Sequence, residues 1–78
     1  MAMTRSEKLA KLQEIFRDVL DQPHLCISEV FSTVDCADWD SVATVQIVLA
    51  TEAAFAVRVP LETVAGLRQV SQLLDLLP

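Results

Sequence analysis

Apolar side chains recur at helical spacing in separate stretches of this chain, and polar runs carrying Pro or Gly divide them. In the first stretch Leu9, Leu12, Phe16 and Val19 lie three or four residues apart, and Ile15 and Leu20 widen the stripe. Lys8, Lys11, Gln13, Glu14, Arg17 and Asp18 fall on the other side and are expected in water. Ahead of this stretch, Thr4-Arg5-Ser6-Glu7 has the spacing of a capping box, with Thr4 as N-cap. Pro23 cannot continue a helix, so the first helix is predicted to end near Leu20.

A second helix is predicted from about Ser41 to Phe55. Val45, Val48, Leu49, Glu52 and Phe55 follow the helical spacing, and Ile47 adds to the expected buried face. Asp40 is its N-cap, because its carboxylate can accept an orphan amide of the first turn. Val57 and Val59 follow in a loop and are expected to point inward. Pro60 suits the first turn of a short third helix, Leu61 to Ala65, ended at Gly66. Leu67, Val70, Leu73, Leu74 and Leu77 mark a last helix. Gln69 is a poor N-cap, so that start is expected to fray, and Leu76 is expected to leave an exposed apolar spot.

Between the first two helices, Asp21 to Asp40 is too apolar for a free linker. It holds Leu25, Ile27, Val30, Phe31 and Val34. The expectation is a connection that crosses one end of a helical bundle, buries these side chains, and makes one helical turn near Ser28 to Phe31. The pattern as a whole predicts an all-α fold with a long loop between helices one and two and a short third helix.

Composition narrows the picture. The chain has 78 residues, 53% of them hydrophobic, with one Gly and three Pro. That is enough for a folded core in a single domain, 1–78, and leaves little room for hairpins. The net charge of −5 argues against nucleic acid and for partners with a basic surface. Cys26, Cys36 and His24 have no metal-ligand spacing, so no metal is expected. The cysteines are expected reduced and buried, and His24 solvent-facing. Met1 to Lys11 has no signal-peptide core. The apolar stretch Val42–Val59 is broken by Gln46, Glu52 and Arg58, so no membrane span is expected and the location is read as cytoplasmic. Arg58 is expected to pair with Glu52 or Glu62 at the surface.

Ser41 carries the candidate chemistry. It follows Asp38-Trp39-Asp40 and opens the second helix. A serine hydroxyl needs an adjacent base to act as a nucleophile on its own. The chain has one histidine and no Gly-x-Ser-x-Gly elbow around Ser41, which argues against self-contained hydrolase chemistry, and no catalytic residue is assigned. An exposed serine at a helix N-terminus is, however, a good acceptor for a group added by another enzyme. The first-turn amides and the positive end of the helix dipole favour a phosphodiester there.

Asp40-Ser41, the apolar second helix, Glu52-Ala53-Ala54-Phe55, Val57-x-Val59-Pro60, the short third helix and Val70 stand in one register across nearly the whole chain. In this the chain resembles the acyl carrier protein family, in its discrete stand-alone form. The resemblance implies a four-helix bundle of acyl-carrier type and a 4'-phosphopantetheine arm, covalent on Ser41, that holds acyl intermediates as thioesters. It implies that Asp40 assists the transfer of the arm, a reaction in which magnesium is required. The implied partners are a phosphopantetheinyl transferase and acyl-loading and acyl-processing enzymes such as a ligase or ketosynthase, met by a monomer through Trp39, Val42, Gln46, Glu52 and Arg58. Val42 takes the place of the family's usual leucine. Phe55, Val59, Leu67 and Val70 match core positions around a cavity that can shelter the cargo.

Departures from the family pattern point to a specialised, polyketide-like or fatty-acid-related pathway. Asp38 replaces a frequent glycine, and Trp39 is expected to pin the loop to helix two. Helix two of fatty-acid carriers is rich in acidic residues. Here Ala43, Gln46, Thr51, Ala53 and Ala54 take much of that face, Glu52 is the one acid, and docking is expected to lean on apolar contact. Two alternatives stay open: an aminoacyl or D-alanyl carrier, which Thr44-Val45-Gln46 resembles, and an unmodified helical interaction module.

Overall fold

A computed structural model describes residues 3–78; Met1 and Ala2, the start of the segment read as lacking a signal sequence, lie outside the described residues. The chain forms α1 (Arg5–Val19), a 3₁₀ turn (Thr33–Asp35), α2 (Ser41–Phe55), α3 (Leu61–Ala65) and α4 (Val70–Leu74). The four helices fall where the hydrophobic pattern puts them, and no strand occurs among the described residues.

The start of α1 is the predicted capping box. Thr4 Oγ1 accepts from the Glu7 amide at 3.1 Å, and the Thr4 amide donates to Glu7 Oε1 at 2.9 Å. Leu12, Phe16 and Leu20 are buried. The helix stops before Pro23: Asp21 adopts φ 54, and the Asp21 and Gln22 amides donate back to Asp18 and Arg17 carbonyls. Lys8, Gln13 and Arg17, expected in water, are half-buried. The latter two fasten the long connection. Gln13 Oε1 accepts from the Ile27 amide at 2.9 Å, and Arg17 Nε donates to the Leu25 carbonyl at 2.7 Å.

That connection crosses the bundle end as expected but buries less of itself. Ile27 is buried and Leu25 and Phe31 are partly so, whereas Val30 and Val34 are 71% and 91% exposed. The expected turn at Ser28–Phe31 is present, the Phe31 amide donating to the Ser28 carbonyl at 3.1 Å, and a 3₁₀ turn follows it at Thr33–Asp35, where Asp35 accepts from the Ser32 amide at 2.9 Å. Two other carbonyls of the connection serve α4. The Val70 and Ser71 amides donate to Phe31 and Glu29 carbonyls, both at 2.9 Å. Gln72 Oε1 also accepts from the Arg68 and Gln69 amides at 2.7 and 2.9 Å. The start of α4 is therefore capped by the loop and by Gln72, which corrects the expectation of fraying. Leu76 is half-buried rather than exposed.

The buried face of α2 is Ala43, Thr44, Ile47, Val48 and Thr51. Val45 and Leu49, predicted inside, are exposed. The helix is apolar nearly all round, so spacing alone could not orient it. Two buried threonines settle the rotation, because each satisfies its hydroxyl on the preceding turn. Thr44 Oγ1 donates to the Asp40 carbonyl at 2.9 Å and Thr51 Oγ1 to the Ile47 carbonyl at 2.7 Å. Glu52 points aside and accepts from the Val59 amide at 2.8 Å. Arg58 is exposed and forms no ion pair among the described residues, so the expected pairing with Glu52 or Glu62 is absent. His24 is exposed; Cys26 is exposed rather than buried, Cys36 is half-buried, and both are free thiols. Pro60 takes the N-cap position of α3, one residue before its first turn.

Candidate functional site

The site is built at the junction of the long connection with α2. Asp40 is extended, with φ −100 and ψ −172, and its carboxylate accepts from the Ala43 amide at 2.9 Å. Its carbonyl takes the Thr44 amide, also at 2.9 Å. This fixes the first turn and leaves Ser41 exposed as the first helical residue. Among the described residues the Ser41 hydroxyl and the Ser41 and Val42 amides have no hydrogen-bond partner. An attached anion would meet two free donors and the positive end of a 15-residue helix. The residues present therefore fit a phosphodiester at Ser41.

Trp39 is placed behind the serine, not in front of it. Although expected among the partner-recognition residues, it is only 3% exposed. Its indole stacks on Phe31 with centroids 5.8 Å apart and planes at 8°, and meets Phe16 edge-on at 5.0 Å. Trp39 Nε1 donates to Thr44 Oγ1 at 2.9 Å. The anchoring expectation holds: the ring pins the loop to α2. Asp38 Oδ2 ties the two ends of the long connection together by accepting from Gln22 Nε2, just past α1, at 2.8 Å.

A cleft of about 430 Å³ opens beside Ser41. Trp39, Thr44, Val45, Leu61, Val64 and Leu67 line it, and Thr33 and Arg68 stand on its polar side. Arg68 Nη1 is committed to the Ala65 and Leu67 carbonyls at 3.1 and 2.8 Å. A second, more open hollow of about 580 Å³ lies against Glu14, Asp18, Pro23 and Ala50 and does not include Ser41.

Ser41, Asp40 and Trp39 thus come together at the cleft. Val42 and Gln46 are exposed on α2, while Glu52 and Arg58 lie toward its other end, with the Glu52 carboxylate engaged by a backbone amide. Sequence reasoning missed the outward stripe that Val42 shares with Val45 and Leu49, at 49% and 60% exposure, and with Leu61 of α3 at 81%. Its signal was an excess of apolar residues beyond what one helix face can bury.

No family model matches the chain. An acyl carrier protein of Acidothermus cellulolyticus is 35% identical over 75 residues, covering 96% of this chain and 89% of that protein. A meromycolate extension acyl carrier protein of Mycobacterium leprae is 39% identical over 70 residues, covering 90% of this chain and 61% of that protein. Among solved structures, a holo acyl carrier protein from Geobacter metallireducens superposes with a TM-score of 0.78 at 28% identity, over 88% of this chain and 79% of the other.

Proposed function

The chain belongs to the acyl carrier protein family, and from that premise we propose that it holds acyl intermediates as thioesters on a 4'-phosphopantetheine arm attached through Ser41. The observation that supports this most is the Ser41 hydroxyl, exposed and without a hydrogen-bond partner among the described residues, at the capped start of α2 beside a cleft. The arm supplies a terminal thiol, which is the group that forms the thioester.

The protein's own residues supply position. Asp40 holds the first turn and presents the hydroxyl to the transferase. The Ser41 and Val42 amides stabilise the phosphodiester once it is made. Val42, Val45, Leu49 and Leu61 offer an apolar docking face continuous with the attachment point. Gln46 is exposed on the same helix, and Arg58 beyond its C-terminal end is an exposed cation with no ion pair among the described residues. α2 contributes one acidic side chain, Glu52, which is engaged internally, so association depends little on electrostatic steering by this helix. Partners are therefore enzymes with a matching apolar patch, in a fatty-acid-related or polyketide-like pathway; the M. leprae relative's name points to the former. Among the described residues no side chain hydrogen-bonds to the Ser41 hydroxyl, and the chemistry is left to partner enzymes. No helix among the described residues is long and apolar enough to cross a membrane.

Incubation with coenzyme A and a broad-specificity phosphopantetheinyl transferase should add the mass of one arm to the intact protein. Ser41→Ala should abolish the addition while leaving stability within about 0.5 kcal/mol, because the position is exposed. An unchanged mass, or an arm mapped to another residue, would overturn the reading. Loading of the holo protein with acyl but not aminoacyl or D-alanyl donors separates the acyl carrier from its close alternatives.

A further inference from the structure

The remaining question on the carrier reading, on which this inference rests, is where the cargo can go. The cleft beside Ser41 has apolar sides from Val45 of α2, Val64 of α3 and Leu67 beyond it. Trp39 also lines it, yet the indole is almost wholly buried. A side chain that touches the cleft while belonging to the core is a wall between the two. Behind that wall stand Phe31, stacked on it, and Phe16, packed edge-on against it.

The wall is held in place from both sides. Trp39 Nε1 donates to Thr44 Oγ1, and the Thr44 hydroxyl in turn donates to the Asp40 carbonyl, each at 2.9 Å. For the indole to swing aside, the buried hydrogen bond to Thr44 must break and the stack on Phe31 must open. The cleft is consequently bounded, and a chain entering from Ser41 meets a fixed aromatic surface before it meets Phe16 and Leu12.

We propose that Trp39 sets the length of acyl chain this protein shelters: cargo tethered through Ser41 lies in the cleft between α2 and α3, and the indole bars it from the core around Phe16 and Leu12. Short and medium chains fit against the wall. Longer chains gain no deeper contact, and their surplus stays in solvent or passes to a partner enzyme.

The test loads the full chain with acetyl, octanoyl and palmitoyl arms, using the corresponding acyl-coenzyme A donors and a promiscuous transferase, with intact mass confirming each product. Trp39 is the one tryptophan and there is no tyrosine, so intrinsic emission reports this wall alone. The octanoyl arm should shift Trp39 emission and the Val64 and Leu67 methyl resonances relative to acetyl. The palmitoyl arm should shift the same set and leave Leu12 and the Phe16 ring unmoved. Trp39→Leu should let the palmitoyl chain reach Leu12 and Phe16, whereas Trp39→Phe, which keeps a ring, should preserve the limit. If Trp39→Leu does not fold, the wild-type protein and Trp39→Phe still decide. A palmitoyl chain that reaches Leu12 and Phe16 in the wild type overturns the proposal. So does a fully loaded octanoyl protein whose Trp39, Val64 and Leu67 signals do not move. Failure to load any arm removes the carrier reading itself, an outcome that mass alone distinguishes from the other two.

Discussion

α1 and α2 each run for 15 residues and each begins on a side-chain cap, yet they distribute their apolar residues in different ways. α1 buries a stripe centred on Leu12 and Phe16 and turns Arg5, Glu7, Lys11, Glu14 and Asp18 to water. α2 buries Ala43, Thr44, Ile47, Val48 and Thr51 and turns Val42, Val45 and Leu49 outward. A helix needed only for folding would carry polar groups at those three positions, as α1 does. Exposed apolar area costs solubility and is kept where something binds to it. In α2 that area starts one residue after Ser41. On the proposed function, the difference between the two helices is one between a scaffold and a docking surface.

The largest stability effect that tests this comparison lies within α2 itself. Ile47→Ala removes a fully buried side chain and is expected to cost about 2–5 kcal/mol. Leu49→Ala, two positions on, is expected to stay within about 0.5 kcal/mol, while weakening association with acyl-processing enzymes. Thermal or urea unfolding of both variants measures the contrast. Equal losses would mean that the outward stripe belongs to the core after all.

This pair also shows what could be read without coordinates. In α1 the contrast between apolar and charged positions is sharp, so Leu12, Phe16 and both helix ends were legible, as was the Asp40 cap before Ser41. In α2 the apolar residues run round the helix, and periodicity carries no phase. The deciding residues were Thr44 and Thr51, which look polar in a sequence. They bury well because each hydroxyl bonds a carbonyl one turn back. The exposure of Val34 and the capping of α4 by Phe31 and Glu29 carbonyls depend on contacts distant in sequence, which no local pattern encodes.

The N-caps offer the next contrast. Asp40→Ala deprives the Ala43 amide of its acceptor and is expected to cost about 1 kcal/mol. Asp40→Asn keeps an acceptor of nearly equal capping strength, so stability should be retained. If Asp40 assists transfer through its charge, Asp40→Asn should slow arm attachment while its unfolding midpoint stays near that of the wild type. If both variants attach the arm at the wild-type rate, Asp40 is a cap alone.

At the C-terminal ends, both helices stop on a residue with φ 54: Asp21 after α1 and Ala56 after α2. Alanine has no side-chain polar group to offset the left-handed conformation, whereas aspartate tolerates it better. Ala56→Gly should therefore stabilise the protein by roughly 0.5–1 kcal/mol, with Asp21→Gly gaining less. Denaturant midpoints give the order, and a larger gain at Asp21 would contradict it.

The smallest effect concerns pH and belongs to α1. The backbone amide and hydroxyl of Thr4 hold the exposed Glu7 carboxyl below its ordinary value of 4.5. The folded state thus binds a proton at Glu7 less readily than the unfolded chain does. This cap contributes its full stability above the ordinary glutamate range and loses it as pH falls through the lowered folded value. Glu7→Gln keeps an oxygen to accept from the Thr4 amide but does not titrate. Its melting temperature should therefore fall less steeply on acidification than that of the wild type, with the two curves converging at low pH. Parallel curves would show that the carboxylate charge adds nothing to the cap. The corresponding position in α2, the third helical residue, is Ala43, whose buried methyl cannot reach back in this way, so the start of that helix rests on Asp40 and on the Trp39–Thr44 pair.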